Sequence, residues 1–151
     1  MSISKKPVSA KSTLNEAYDY DNPVPFSRAF RVDVNGITQL FISGTASVDE
    51  NGDTVYAGDL EKQVKRMFQN VTLLLEAEGA SWQDVVKTVF YHRDIDRDYI
   101  DISRYRTEFF NEVGLKQYPA SVGIEARLCR ADLLIEMEAL AIYETPDDSR
   151  K

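Results

Sequence analysis

The segment from Leu133 to Tyr143 carries apolar residues on both faces of a potential strand. One face holds Leu133, Ile135, Met137 and Ala139, and the other holds Leu134, Leu140 and Ile142. Successive side chains of a strand point to opposite faces, so a strand with this pattern is expected to be buried on both sides. The chain must therefore build a sheet in which this strand is covered from above and below.

Hydrophobic periodicity predicts four further strands and two helices. The strands are predicted at 28–34, 39–48, 85–91, 121–128 and 133–143, and the helices at 59–78 and about 98–112. Asn35-Gly36 is typical of a tight hairpin turn between the first two strands. Asp59 can cap the first helix, and Gly79 follows its last turn. The order ββαβαββ predicts a mixed α/β (α+β) fold with both helices on one face of the sheet.

The second face of the sheet must be covered by something other than the predicted strands and helices. Two helices can cover only one face of such a sheet. We therefore expect neighbouring subunits to cover the other face in a closed symmetric oligomer.

The length of 151 residues is typical of a single domain. The first residues are polar and rich in Ser and Lys, which predicts a mobile arm over 1–15. A single domain is expected over 16–145, with a frayed end over 146–151.

Composition excludes several classes of function. The formal net charge of −7 argues against sequence-independent binding of nucleic acid. No apolar run approaches the ~18 residues of a membrane span, and the N-terminus lacks the apolar core of a signal peptide. We predict a cytoplasmic protein without nucleic-acid or membrane partners.

Cys129 and His92 are the only residues of their types. No intrachain disulfide can form, and the pair cannot supply a Cys/His zinc site, so no metal is predicted. Cys129 is expected to be a buried thiol. His92 ends a strand, where hydrogen bonding at the surface is expected and a proton-shuttle role is the alternative.

Three pieces of sequence, in this order and spacing, carry a resemblance. They are Ser43-Gly44 at a strand end, the helix with Gln63 and Asn70 before Glu76-Ala77-Glu78-Gly79, and Ile135-Glu136-Met137-Glu138-Ala139. Over about residues 24–143 the chain resembles the Rid/YjgF family, also called the endoribonuclease L-PSP or translation initiation inhibitor family. The ribonuclease label fits poorly with the acidic charge.

The resemblance implies a chorismate-mutase-like fold. It also implies a homotrimer whose sheets form a central barrel, with a cleft between each pair of subunits. The activity it implies is the hydrolysis of reactive enamines and imines, such as 2-aminoacrylate, to keto acids and ammonia. No cofactor is implied.

The chain departs from the family pattern at several site positions. Ser121, in Tyr118-Pro119-Ala120-Ser121, stands where family deaminases carry the arginine that holds the substrate carboxylate. Phe26 replaces a tyrosine, Gly123 replaces a cysteine, and the family's asparagine falls near Ile102 or Ser103. Ser43 and Glu136 remain. Whether Arg93, Arg127 or Arg130 of a neighbouring subunit replaces the missing arginine stays open.

Residue chemistry supports part of this site. Glu136 and Glu138 lie two apart on one strand face beside leucines, and apolar surroundings raise the pKa of a carboxyl group toward values useful for proton transfer. We predict Glu136 as the catalytic residue, whereas Glu138 is expected to pair with a cation. Gly44 allows close approach of backbone to a ligand, and Ser43 can orient that ligand. The expected ligand-binding residues are Phe26, Ser43, Gly44, Ser121 and Gly123.

Three functions remain open. The first is a divergent trimer that binds a small metabolite in its clefts, with altered or absent deaminase activity. The second is an active, cofactor-free enamine/imine deaminase that recruits an arginine from another position. The third is a non-catalytic regulatory trimer.

Overall fold

One mixed sheet and two long helices make up the computed structural model, which describes residues 1–11 and 14–147. The strands are β1 (Ile3–Val8), β2 (Ala29–Val34), β3 (Ile37–Ala46), β4 (Val85–His92), β5 (Ala120–Glu125) and β6 (Ile135–Glu144), and the helices are α1 (Leu60–Ala77) and α2 (Ile95–Glu112). The spatial order is β1-β2-β3-β6-β4-β5, and only the β4–β5 pair is parallel. The predicted α+β class is confirmed, and the last strand, β6, lies inside the sheet between β3 and β4.

The N-terminal residues differ from the sequence-based prediction. Ile3–Val8 pairs antiparallel with β2 along its whole length, and Val8 is buried. The prediction of a mobile arm over 1–15 is therefore wrong for this strand. Residues 12–13 and 148–151 lie outside the described residues, which leaves only Pro146 and Asp147 of the predicted C-terminal fray within them.

Local signals explain the turns and helix starts. Asn35 and Gly36 have φ angles of 49° and 81°, as a tight β2–β3 hairpin requires. The Asp59 carboxylate accepts a hydrogen bond from the backbone N–H of Lys62 and caps α1. Asp94 caps α2 in the same way through the N–H of Arg97, so α2 begins at Ile95, three residues before the predicted start.

Both helices pack on one face of the sheet. Apolar residues of α1 and α2 form a single buried cluster with Leu40 of β3, Phe90 of β4 and Met137 of β6. Phe68 of α1 is at the centre of its aromatic part, and its ring lies 5.6 Å from that of Trp82. This cluster is the core that fixes the helices over the sheet. Within the described part of the chain, neither helix is long and apolar enough to cross a lipid bilayer.

Two buried polar residues of α1 attach the helix to the strand ends. Asn70 donates from Nδ2 to the carbonyl oxygens of Ala46 and Val48, just after β3. Gln63 donates to the carbonyl of Asp132 and accepts from the N–H of Leu134, just before β6. Because buried polar groups need partners, these bonds hold the ends of β3 and β6 in a fixed position beside each other.

The sheet face opposite the helices, which we call the open face, is left uncovered by the part of the chain that the structure describes. Along β6 the residues facing the helices are buried, whereas the alternate residues Glu136, Glu138, Leu140 and Ile142 point to the open face. Phe30 and Phe41 lie on the same face and are 41% and 45% exposed. They help to line a cavity of about 390 Å³. A face this apolar is typical of an interaction surface.

Candidate functional site

A bulge in β3 forms the centre of the candidate site. The β3–β6 register is broken between Ile42 and Thr45, where Ser43 and Gly44 together oppose the single residue Glu138. Such bulges often redirect side chains next to functional sites. The break lies at the end of β3 that Asn70 of α1 holds in place.

Gly44 makes room for the carboxylate of Glu136. A Cβ atom at position 44 would lie 2.2 Å from Glu136 Oε1, which no real contact allows. The glycine is therefore required by close approach, since its φ angle is not in the left-handed region. The carboxylate occupies a notch whose floor is the Gly44 backbone.

Burial and a second carboxylate control the charge of Glu136. Burial is the larger cause and the nearby Glu138 carboxylate is the second, and together they raise the pKa of Glu136, while Arg130 partly opposes them. No hydrogen-bond donor among residues 1–11 and 14–147 reaches the Glu136 carboxylate. Glu138, in contrast, accepts a hydrogen bond of 2.9 Å from the hydroxyl of Tyr91. Glu136 is thus the carboxyl group left available for proton transfer with a ligand or water.

Ser43 is held by the backbone around it. Its hydroxyl donates a 2.6 Å hydrogen bond to the carbonyl of Ser27, and its own N–H donates to the carbonyl of Arg28. The hydroxyl proton is already used, so Ser43 can only accept a further hydrogen bond from a ligand. Phe26 precedes Ser27 and is 38% exposed, with its ring centre 5.9 Å from the guanidinium carbon of Arg28.

The predicted site residues fall into two groups. Ser43, Gly44 and Glu136 come together at the bulge, and Phe26 lies next to the Ser43 anchor. Ser121 and Gly123 lie instead on the edge strand β5, with β4 between them and β6. Ser121 accepts a hydrogen bond from Thr88, a residue of the helix-covered face. Within one chain, the structure does not bring Ser121 or Gly123 to Glu136.

Two of the arginines that the sequence left open are occupied by their own chain. Arg93 donates to the carbonyls of Leu133 and Arg130, each at 2.5 Å. Arg130 donates to the carbonyl of Gly52 and lies 3.4 Å from Thr54 Oγ1. Arg127 is exposed beyond the end of β5.

Sequence reasoning missed Arg106 of α2. Its Nη1 lies 3.4 Å from Ser121 Oγ, and both residues line a pocket of about 110 Å³ between α2 and β5. The signal that could have found it is the four-residue spacing Ile102, Arg106, Phe110, which places a cation in the row of a helix that faces the sheet. The asparagine position of the family pattern also falls in this pocket, as Ile102 and Ser103.

Two other expectations are wrong. His92 is 2% exposed rather than a surface residue, and its Nδ1 has no hydrogen-bond partner. A residue at the end of a strand can still be covered by the next helix, and α2 covers this one. Cys129 was expected to be buried but is exposed. Among the described residues, no group of three or more His, Cys, Asp or Glu side chains is arranged to hold a metal ion.

Comparison with known proteins gives consistent matches over most of the chain. The sequence model of the family described as endoribonuclease L-PSP matches residues 21–143. A RutC family protein of Pyrococcus abyssi is 34% identical over 120 residues, which cover 80% of this chain and 87% of that protein. The 3-aminoacrylate deaminase RutC of Acinetobacter baylyi is 30% identical over 102 residues, covering 68% and 77% of the two chains. The 2-iminobutanoate/2-iminopropanoate deaminase of Salmonella typhimurium is 30% identical over 105 residues, covering 70% and 80%.

A solved structure supports the same relationship at the level of the fold. The crystal structure of the YjgF gene product of E. coli superposes with a TM-score of 0.73 over 92% of this chain and 99% of that one, at 24% identity. The fold, the family match and the identity to several relatives agree. This chain belongs to the endoribonuclease L-PSP family, which is also known as the Rid/YjgF family.

Proposed function

We propose that this chain hydrolyses a small imine or enamine that carries a carboxylate, and that Glu136 moves the protons. The observation that carries the proposal is the Glu136 carboxyl group, half-buried in the Gly44 notch, with a raised pKa and no hydrogen-bond donor from the described chain. A carboxyl group of this kind exchanges protons near neutral pH more readily than an exposed one. Two relatives at 30% identity are named as deaminases of such compounds.

The chemistry needs only water and one proton carrier. An enamine first takes a proton on carbon and loses one from nitrogen, which converts it to the imine. Glu136 then removes a proton from water as the water oxygen bonds to the imine carbon, and the proton passes to the nitrogen. The hydroxyl group of the resulting carbinolamine gives its proton to the nitrogen as the carbon–nitrogen bond breaks and the carbonyl forms, which releases ammonia and a keto acid. One molecule of water is consumed and no redox partner is required.

We further propose that the site is completed in a homotrimer. On the open face, the side chains of Phe30, Phe41 and Ile142 are each 40–45% exposed, although this face lies along the central strands of the sheet. Neighbouring copies covering this face would bury these apolar groups and form clefts at the subunit boundaries. Because Ser121 and Glu136 lie apart within one chain, a cleft between two copies is the arrangement that can use both.

The test is keto-acid release from an imine generated in solution. 2-Aminoacrylate and 3-aminoacrylate are produced in situ, and release of their hydrolysis products is compared with the rate in buffer. Wild-type protein is expected to accelerate one of them, and Glu136→Gln is expected to lose at least about 100-fold in kcat, the range typical of a proton-transfer group. Glu144→Gln, an exposed residue at the far end of the same strand, is the control and should keep full activity.

A second candidate is ligand binding without turnover. Ser121 and Gly123 offer neither a guanidinium nor a thiol, which favours altered or absent deaminase activity. Keto-acid binding by a wild-type protein that accelerates neither hydrolysis would support this candidate and contradict the first.

A further inference from the structure

Arg106 differs from the other arginines of α2. Arg97 lies 2.7 Å from the carboxylate of Asp98, and Arg104 lies 3.1 Å from that of Asp101. Among residues 1–11 and 14–147, no carboxylate comes within ion-pair distance of Arg106. The chain has 25 acidic and 18 basic residues. An unpaired guanidinium in such an acidic chain is therefore available for an anion from outside.

The surroundings of Arg106 form a pocket rather than an open surface. Its guanidinium carbon lies 5.1 Å from the centre of the Phe90 ring, which holds the group over a buried aromatic residue. Arg106 and Ser121 line both the α2–β5 pocket of about 110 Å³ and an adjoining hollow of about 180 Å³. Since a water molecule takes up about 30 Å³ of the liquid, these spaces suit a ligand of a few non-hydrogen atoms.

The polar groups of this pocket favour a negative ligand. Ser103 and Ser121 contribute hydroxyl groups, and Tyr99 contributes an aromatic wall. Asp98, whose charge acts on His92 of this pocket, has each carboxylate oxygen 2.7 Å from the guanidinium of Arg97. Its charge is thus largely compensated, whereas that of Arg106 is not.

His92 forms the inner end of the pocket, and its pKa responds to the charged groups nearby. Burial is the main cause that lowers the pKa of His92, Arg106 lowers it further, and Asp98 acts in the opposite direction. A Cβ at position 123 would lie 3.1 Å from His92 Nε2, so Gly123 leaves space beside the imidazole. The lowered pKa favours the neutral imidazole, and Arg106 is the one lysine or arginine among the described residues that line the pocket.

We propose that Arg106 binds the carboxylate of a small 2-oxo or 2-imino acid in the α2–β5 pocket. The planar guanidinium can donate two parallel hydrogen bonds to a carboxylate, and Ser121 lies beside the same group. A guanidinium that belongs to α2, rather than one on β5, thus lies beside residue 121. This inference rests on the proposed function for the identity of the ligand, and it can be tested separately.

Binding of 2-oxobutanoate, measured by titration calorimetry, is the first test. Arg106→Gln is expected to weaken binding by about 10- to 100-fold, as the loss of a charged hydrogen-bonded pair does. Arg104→Gln, two residues earlier on the exposed side of α2, should leave binding unchanged. The uncharged 2-oxobutanamide should bind wild-type and Arg106→Gln protein equally weakly.

The single histidine gives a second readout that a purely structural role of Arg106 would not move. In tag-free protein the imidazole NMR signals report His92 alone. Arg106→Gln should raise the pKa of His92 without any ligand, because a nearby positive charge is removed. 2-Oxobutanoate should raise the pKa of His92 in the wild type and should leave it unchanged in the variant.

Two more variants extend the test, and the first of them keeps the proposal falsifiable if Arg106→Gln folds poorly. Arg106→Lys retains the charge without the planar fork and should bind with intermediate affinity. Arg106→Gln combined with Ser121→Arg should recover part of the lost affinity. Unchanged affinity in Arg106→Gln, or a His92 pKa that ignores 2-oxobutanoate, overturns the proposal.

The outcomes separate this proposal from the proposed function. Binding that depends on Arg106, in a protein that hydrolyses no imine, overturns the hydrolase and leaves the carboxylate pocket standing. Imine hydrolysis with an unchanged KM in Arg106→Gln overturns the pocket and leaves the hydrolase standing. A wild-type protein that neither binds 2-oxobutanoate nor hydrolyses either substrate overturns both.

Discussion

The close contact between Gly44 and Glu136 makes glycine a requirement of the candidate site. A methyl group at position 44 would collide with Glu136 Oε1, the end of a flexible side chain, rather than with backbone. We therefore expect Gly44→Ala to cost no more than about 1 kcal/mol of folding free energy, a typical single-mutation effect. The carboxylate must leave its notch, so imine hydrolysis should fall as far as in Glu136→Gln. Chemical denaturation and the keto-acid assay measure the two effects.

A double-mutant cycle checks the cause. In a Glu136→Ala background the colliding atom is gone, so Gly44→Ala should have no further effect on stability. An equal loss of stability with and without Glu136 would show that the methyl group collides with something else.

The residues at the bulge were predictable from sequence, and the cation was not. Ser43 and Gly44 are consecutive, and Glu136 belongs to a strand with clear alternation, so their strands followed from local pattern, whereas their grouping in one site came from the family resemblance. Which arginine can hold a ligand depends on which guanidinium groups already donate hydrogen bonds to backbone carbonyls. Arg93 and Arg130 are used in this way, and only three-dimensional contacts reveal it.

At the level of elements, the first turn of α2 links the helix to the sheet edge. Asp94 accepts the N–H of Arg97, and Glu125 at the end of β5 accepts the N–H of Ile95. These bonds satisfy two of the free N–H groups that every helix start presents. They also fix α2 against β5, the two elements that carry Arg106 and Ser121.

Loss of the α2 cap should destabilise the chain. Asp94→Ala is expected to lower the free energy of unfolding by about 1 kcal/mol, the usual effect of removing a capping carboxylate. Asp96→Ala is the control, because Asp96 lies in the same turn without a capping bond; it loses only its interaction with the helix dipole and should cost about 0.3 kcal/mol. Urea denaturation of both variants measures the difference, and equal losses would contradict the capping role.

Helices and strands could be predicted where burial gives the sequence a regular hydrophobic period, and they were missed where it does not. The helix α1 shows eight buried positions at helical spacing between clear caps, so its extent could be predicted closely. The edge strand β1 is exposed at every residue except Val8. Its Lys5, Lys6 and Pro7 are typical of protected sheet edges, which carry charge and proline instead of alternation.

At the scale of the whole molecule, the sheet separates two half-sites. The bulge with Glu136 opens on the face without helices, whereas the α2–β5 pocket lies at the edge strand beside α2. Neither half alone offers both a proton carrier and an unpaired cation. Under the proposed function, a complete site therefore requires the assembly of copies across the open face.

A charge on the open face should prevent that assembly without unfolding the chain. Phe41 is 45% exposed and helps to line the cavity beside Glu138, so Phe41→Glu adds a second negative charge there. Placing like charges in a shared interface costs several kcal/mol, enough to dissociate the oligomer at micromolar concentration. Sedimentation velocity should then show trimers for the wild type and folded single copies for the variant, with imine hydrolysis lost in parallel.

Ile100→Glu is the matched control, since Ile100 is 81% exposed on α2, away from the open face, and this variant should remain trimeric and active. A wild-type protein that sediments as a single copy, or a Phe41→Glu protein that stays trimeric, contradicts assembly through this face.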